Sequence, residues 1–275
     1  MVYVRILLVC TILWGGAMMV LATGLSQPKD MIFTATVDGS AQHYVLMLPD
    51  PFDATVEHHL LIALHGHGSD RWQYVRDARG ECQGARDVAA KYGMIYVSPD
   101  YRARTSWMGP KAEADMVQLI GDLRKAYRVG KIFLAGGSMG GSSVLTFAAL
   151  HPELIAGVSS QNGMANHLTY EQFQDAIAES FGGHKADIPE EYKKRSAEYW
   201  PERFTMPVAI TVGGKDTLVP PDSVLRLAAV LQKLKRKVLV INREDGGHMT
   251  NCADTTTALE FVVEAALGQA VPKKE

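Results

Sequence analysis

The chain has 275 residues, of which 47% are hydrophobic and 21% charged, with a formal net charge of -2. That length and apolar share suffice for one sizeable core that covers a sheet on both faces. The near-neutral balance excludes the clustered basic footprint of a nucleic-acid binder. One basic run, Lys233-Leu234-Lys235-Arg236-Lys237, lies between a helix-like and a strand-like segment and reads as a solvated turn.

Arg5 precedes an apolar run from Ile6 to Leu25, after which Ser26-Gln27-Pro28-Lys29-Asp30 turns polar. A basic start, an apolar middle and the small residues Ala22 and Gly24 mark residues 1–24 as a secretory signal cleaved near Gly24; the run is also long enough to remain as a membrane anchor. Val9, ahead of Cys10, is too large for the usual lipoprotein cleavage pattern. The expected location is secreted or periplasmic, with a membrane contact only if the leader stays uncleaved. Two cysteines then remain, Cys82 and Cys252. In an oxidising compartment they either pair or stay unpaired as small apolar residues.

In the mature chain, residues 25–275, Phe33 to Val37 and His43 to Leu48 are strand-like and flank the turn signal Asp38-Gly39-Ser40, which predicts an antiparallel opening hairpin. Leu60 to Leu64 is continuously apolar, as a strand buried on both faces must be, and ends at His65-Gly66-His67-Gly68. Helix-like and strand-like segments then alternate: Glu81 to Tyr92, Met94 to Ser98, Ala112 to Tyr127, Lys131 to Ala135, Gly140 to Leu150 and Ile155 to Ser160. A polar, mostly helical insertion from Leu168 to Phe204 interrupts the order. The strand Val208 to Val212, a helix from Pro221 to Leu234, the strand Lys237 to Asn242 and a closing helix from Asp254 to Leu267 resume it. Regular alternation predicts an α/β fold, a mostly parallel central sheet with helices on both faces.

Chemistry concentrates at Lys131-Ile132-Phe133-Leu134-Ala135-Gly136-Gly137-Ser138-Met139-Gly140-Gly141. A strand-forming run stops at glycines, and Gly136 and Gly140 bracket Ser138 in the pattern G-x-S-x-G, the signature of a strand-to-helix turn too tight for flanking side chains. Such a turn lifts the serine hydroxyl clear of the sheet. The next backbone N–H, that of Met139, then points to where a carbonyl oxygen becomes negative.

A serine hydroxyl is a poor nucleophile at neutral pH and needs a base, and the base needs an orienting acid. Asp216 follows Ala209-Ile210-Thr211-Val212-Gly213-Gly214-Lys215, a strand running into a glycine turn, and His248 lies in Glu244-Asp245-Gly246-Gly247-His248 after the last strand. The order serine, acid, histidine is the one expected on this type of sheet. Asp216 also suits a turn or helix cap. Glu244 and Asp245 lie too near His248 in the same loop to be its acid. A second oxyanion donor is expected from the loop after the first buried parallel strand, where the backbone N–H of His67 stands between Gly66 and Gly68. A metal on His65 and His67 is the competing reading, but no third ligand at suitable spacing presents itself. No metal and no cofactor are therefore expected.

The run Leu64-His65-Gly66-His67-Gly68, the turn from Gly136 to Gly140, the Gly-Lys-Asp ending at Asp216 and the Gly-Gly-His ending at His248 together resemble an α/β-hydrolase. Within that superfamily the chain is similar to single-domain esterases related to dienelactone hydrolase and to the catalytic domain of prolyl oligopeptidases. Tyr192-Lys193-Lys194-Arg195-Ser196 followed by Met206-Pro207 and the Asp216 turn is particularly like the latter group. The resemblance implies an α/β-hydrolase fold with a short helical insertion, residues 168–204, before the acid-bearing strand. It departs from oligopeptidases in an expected lack of a propeller domain, and from dienelactone hydrolases in having serine rather than cysteine as nucleophile. Both departures favour a carboxylic ester hydrolase acting through an acyl-enzyme on a small-molecule or polysaccharide-linked ester. A serine peptidase of prolyl oligopeptidase type and a non-catalytic binding protein on the same scaffold are the alternatives. The fold implies a binding crevice at the carboxyl ends of the parallel strands. Trp72 and Trp107 would there stack on a sugar or aromatic ring, Arg102 or Arg104 would hold an anionic group, and Asn162 would face substrate; the rival reading has the aromatics closing the core and the arginines solvated.

Overall fold

A computed structural model describes residues 24–268, so the leader reading on residues 1–23 lies outside the described residues. In chain order the elements are β1 (Gly24–Leu25), β2 (Lys29–Thr34), β3 (Ala41–Met47), β4 (Pro49–Asp50), β5 (His58–Leu64), α1 (Gln73–Arg76), α2 (Gly80–Lys91), β6 (Ile95–Pro99), α3 (Pro110–Ala126), β7 (Val129–Gly137), α4 (Met139–Leu150), β8 (Gly157–Gln161), α5 (Gln174–Phe181), α6 (Pro189–Lys194), β9 (Val208–Gly213), α7 (Asp222–Lys233), β10 (Val238–Arg243) and α8 (Cys252–Leu267). Eight strands form one sheet in the order β10-β9-β8-β7-β5-β6-β3-β2, while β1 pairs with β4 apart from it. From β6 to β10 all pairings are parallel; β3 joins β6 antiparallel and β2 joins β3 antiparallel. This is the mostly parallel α/β-hydrolase sheet that the sequence implies.

The alternation of side chains along β5 shows how the two cores arise. Leu60, Ile62 and Leu64 enter one cluster with Leu119 and Leu123 of α3, Val144 of α4 and Leu227 and Leu231 of α7. Leu61 and Ala63 point the other way, into a cluster with Ala85 and Val88 of α2 and Leu259 and Val262 of α8. A strand sandwiched between two helical layers cannot alternate polar with apolar, which is why this run is apolar throughout. The chain runs from β5 outward to β6, then crosses back to β7 on the opposite side of β5. That reversal opens a crevice at the carboxyl ends of β5 and β7, where Ser138 and the His65 to Trp72 loop emerge.

One expectation needed correction, and the open question of the cysteines is answered. The hairpin strand predicted over Phe33 to Val37 instead spans Lys29–Thr34. It ends there because Ala35 begins the turn: its N–H donates to Ser40 O at 2.8 Å, Gly39 takes a φ of +73°, and Asp38 Oδ1 accepts from Ser40 N and Oγ at 3.1 and 2.6 Å. The cysteines do not pair. Cys82 is a free, buried thiol on α2, pushed up to about 12 by that burial, and Cys252 begins α8 with its Sγ 3.8 Å from Asp87 Oδ2.

The insertion contains α5, α6 and two short 3-10 turns, Ala197–Tyr199 and Pro201–Arg203. Arg195 fastens it. The guanidinium is fully buried and donates to Met108 O at 2.7 Å, Glu113 Oε2 at 2.8 Å and Glu191 Oε1 at 2.6 Å, tying the insertion to α3 and to the loop before it. The start of the insertion borders the crevice: the Phe173 ring lies 4.3 Å from that of His67 and 5.7 Å from that of Trp107.

Candidate active site

Ser138 sits between β7 and α4 at φ 59°, ψ -121°, a left-handed conformation that a non-glycine residue adopts only under constraint. The constraint is the close approach of strand and helix. A Cβ on Gly140 would lie 2.1 Å from Leu64 O, and one on Gly136 would lie 2.5 Å from the Gly140 carbonyl carbon. Ser138 N donates to Gln161 O at 2.8 Å, and the first helical bond of α4 runs from Ser142 N to Ser138 O at 3.0 Å. The N–H of Met139 therefore belongs to the unpaired first turn of a helix, beside the serine hydroxyl.

His248 brings both of its nitrogens to bear. Its Nε2 lies 2.9 Å from Ser138 Oγ and its Nδ1 lies 2.6 Å from Asp216 Oδ2. A carboxylate only accepts, so Nδ1 carries the proton and Nε2 is left to accept from the serine hydroxyl. Asp216 caps its turn and holds the imidazole at once. Its Oδ1 accepts from the N–H groups of Leu218 and Val219 at 3.0 and 2.9 Å, while Oδ2 holds the imidazole, and only 1% of its side chain is exposed. The two loops are stitched by their backbones: Gly214 N donates to Arg243 O and Lys215 N to Gly246 O, both at 2.8 Å. Asp245 turns outward to pair with Lys215 at 2.5 Å.

The loop after β5 lies alongside. A Cβ on Gly66 would stand 3.7 Å from Ser138 Cβ, so this backbone passes directly beside the serine. Gly66 N is engaged by Gln73 Oε1 at 2.7 Å. His67 follows, and its ring Nδ1 accepts from Trp107 Nε1 at 3.2 Å, with burial drawing its pKa down and keeping the ring neutral. The His65 ring is buried, its nitrogens 2.9 Å from Gly66 O and 3.2 Å from Asp100 O. Both histidine rings thus serve to shape the loop.

The expected substrate residues fare differently. Trp107 is 1% exposed, packed against His67 and Tyr170, and offers no free face. Arg102 is spent away from Ser138, on Asp115 Oδ1 at 3.0 Å and Asp38 Oδ2 at 3.1 Å, and Arg104 Nε donates to Gly68 O at 2.8 Å. Trp72 has the Arg76 guanidinium 3.6 Å over its ring. Asn162 does border the serine cleft but is a support: its Oδ1 accepts from Thr250 Oγ1 at 2.5 Å and its Nδ2 lies 3.3 Å from Gly247 O, bracing the His248 loop. Sequence reasoning passed over Glu81, Arg79 and Gln73, which line the same cleft. An acidic residue in the first turn of α2 looks like a helix-dipole partner, so nothing in the sequence marks it.

A serine oxygen bonded to an imidazole whose far nitrogen is held by a carboxylate has the connectivity that makes a hydroxyl nucleophilic. Known proteins share this shape. The fold superposes on puromycin hydrolase with a TM-score of 0.72 at 18% identity, over 90% of this chain and 40% of that one. It matches the acylaminoacyl peptidase of Pyrococcus horikoshii at 0.68 and 15%, over 92% and 43% of the two chains. A fluorophosphonate-binding serine hydrolase of Staphylococcus aureus matches at 0.68 and 17%, over 88% of this chain and 98% of its own. At such identities the likeness is one of fold, and the chain spans less than half the length of the first two. No curated protein matches the sequence. The profile of the prolyl oligopeptidase family matches residues 86–266, well over half of the chain and including Ser138, Asp216 and His248. The chain belongs to the prolyl oligopeptidase family, within the α/β-hydrolase superfamily.

Proposed function

We propose that the protein is a serine hydrolase that cleaves carboxylic esters through an acyl-enzyme. Ser138 attacks, His248 takes its proton and later delivers it to the leaving alcohol, and Asp216 fixes the imidazole tautomer. The N–H groups of Met139 and His67 receive the developing oxyanion, and water releases the acyl group. The observation that carries this reading is the continuous chain from Ser138 Oγ through His248 to Asp216, at 2.9 and 2.6 Å. The preference for esters is supported by the narrow cleft at Ser138, with room of only about 40 Å3 and mostly polar side chains around it, which suits a compact group better than an extended peptide. Residues 1–24 act as an export signal in the same reading, and N-terminal sequencing of exported protein tests that.

The test is hydrolysis of nitrophenyl esters of increasing acyl length beside peptide nitroanilides, with Ser138→Ala as control. Ester turnover that disappears in the variant, and a fluorophosphonate adduct on Ser138, support the proposal. Faster cleavage of the nitroanilides assigns the chain to peptidases, and an unlabelled serine in folded protein makes it a binding protein.

A further inference from the structure

The residue that follows His248 stands in an unusual place. Met249 borders the Ser138 cleft and is 69% exposed, more than any other large apolar side chain among the described residues. Elsewhere the chain hides this residue type: Met94, Met108, Met116, Met139 and Met164 are each at most 2% exposed. A lone exposed hydrophobe is ordinary at a protein surface. This one differs because its backbone is held while its side chain is left largely in solvent. On one side His248 is bonded to Ser138 and Asp216 at 2.9 and 2.6 Å. On the other Thr250 is 6% exposed, with its Oγ1 2.7 Å from Thr211 Oγ1 and 2.5 Å from Asn162 Oδ1. Met249 N itself donates to Gly247 O at 2.9 Å. Gln73, Arg79, Gln161, Asn162 and Thr250 bring polar side chains to the cleft, and among the described residues around it Met249 alone brings an apolar one.

We propose that Met249 sets the alcohol specificity of the enzyme by covering an apolar group, an alkyl chain or aryl ring, on the leaving alcohol, an inference that rests on the ester-hydrolase reading above. The chemistry of the side chain fixes the class. A thioether neither ionises nor donates a hydrogen bond, so what it offers a substrate is apolar surface. Three rotatable bonds let it follow groups of different shape, which favours a range of alcohols over a single one. Covering it removes apolar area from water on both partners, and the gain grows with each methylene that reaches it. A polyol would bring hydroxyls against that surface and strip them of water without supplying a partner. The side of the substrate follows from His248, which in the proposed mechanism hands its proton to the departing alcohol. The residue beside it on the cleft therefore flanks the alcohol and not the acyl group.

The experiment measures kcat/KM for ethyl and butyl acetate, which differ in the alcohol, and for ethyl butyrate, which differs from ethyl acetate in the acyl group. In the wild-type protein butyl acetate should exceed ethyl acetate by about tenfold, the worth of two covered methylenes. Met249→Gln, unbranched and of like length but polar, should bring that ratio to about twofold or less and leave the ratio of ethyl butyrate to ethyl acetate as it is. Met249→Leu should keep the wild-type alcohol ratio. With the side chain in solvent both variants should fold, which thermal melting checks. The proposal is overturned by a wild-type alcohol ratio near one, by a ratio that survives in Met249→Gln or falls equally in Met249→Leu, or by a fall in the acyl ratio; ester turnover then still upholds the esterase. No turnover of any of the three esters by folded wild-type protein overturns both.

Discussion

Replacing Asp216 by asparagine separates its two roles. Asparagine keeps an oxygen for the N–H groups of Leu218 and Val219, now at 3.0 and 2.9 Å, so the turn and the fold persist. It places an amide nitrogen where Oδ2 stood, 2.6 Å from His248 Nδ1 and 3.5 Å from Asn162 Nδ2. An N–H there donates to Nδ1, which must then be unprotonated, and the ring proton moves to Nε2. Nε2–H facing Ser138 Oγ at 2.9 Å cannot take the serine proton. The imidazolium formed on attack also loses the buried carboxylate that stabilises it. A wrong tautomer of this kind lowers kcat by about 10,000-fold, which at ~1.36 kcal/mol per factor of ten is roughly 5 kcal/mol of barrier. KM should change little, because Asp216 touches the imidazole and not the substrate. Steady-state ester hydrolysis, with circular dichroism and thermal melting to show an intact fold, measures this. If Asp216 served only as a turn cap, the variant would lose less than about tenfold, and that result in a folded protein would refute the assignment.

Three further outcomes are expected. Gly140→Ala should abolish activity and destabilise the fold, since its Cβ meets Leu64 O at 2.1 Å and neither backbone can yield without moving β5 or α4; soluble yield and melting temperature report it. Arg195→Met leaves the buried side of Glu113, Glu191 and Met108 O without their cation, and should cost about 3–5 kcal/mol in urea unfolding, with a loss under ~1 kcal/mol counting against the fastening role. Glu113 sets part of the acid response. Burial resists its ionisation, but the hydrogen bond from His151 and the Arg195 guanidinium prevail and hold its folded pKa at about 2, against an ordinary 4.5. The folded state therefore binds fewer protons than the unfolded one in this window, so the contribution is complete above pH 4.5 and is lost as pH falls toward 2. Urea titrations between pH 5 and 3 should show a shallower decline for Glu113→Gln than for wild type.

What the sequence determined by itself is local and periodic. The continuous apolarity from Leu60 to Leu64 suited a strand covered on both faces, and the glycines around Ser138 pointed to a turn in which strand and helix nearly touch. Chain order then predicted Asp216 and His248, because each follows a strand whose carboxyl end opens on the same edge of a parallel sheet. Tertiary structure decided everything that depends on which side chains meet across the fold. Trp107 and Arg102 look available in sequence, yet one is sealed beneath the insertion by Tyr170 and Phe173 and the other is drawn off by Asp38 and Asp115, residues far from the crevice in the chain. Asn162 sits in the right loop, but its partner Thr250 lies 88 residues away and turns it into a brace. Glu81 shows the limit most clearly. Its position in a helical first turn has a sufficient local explanation, and only the packing of α2 against Gly137 turns it from a surface-type carboxylate into a buried group at the cleft. Local rules constrain the backbone within a few residues, whereas a site's chemistry is set by contacts between segments that no local rule connects.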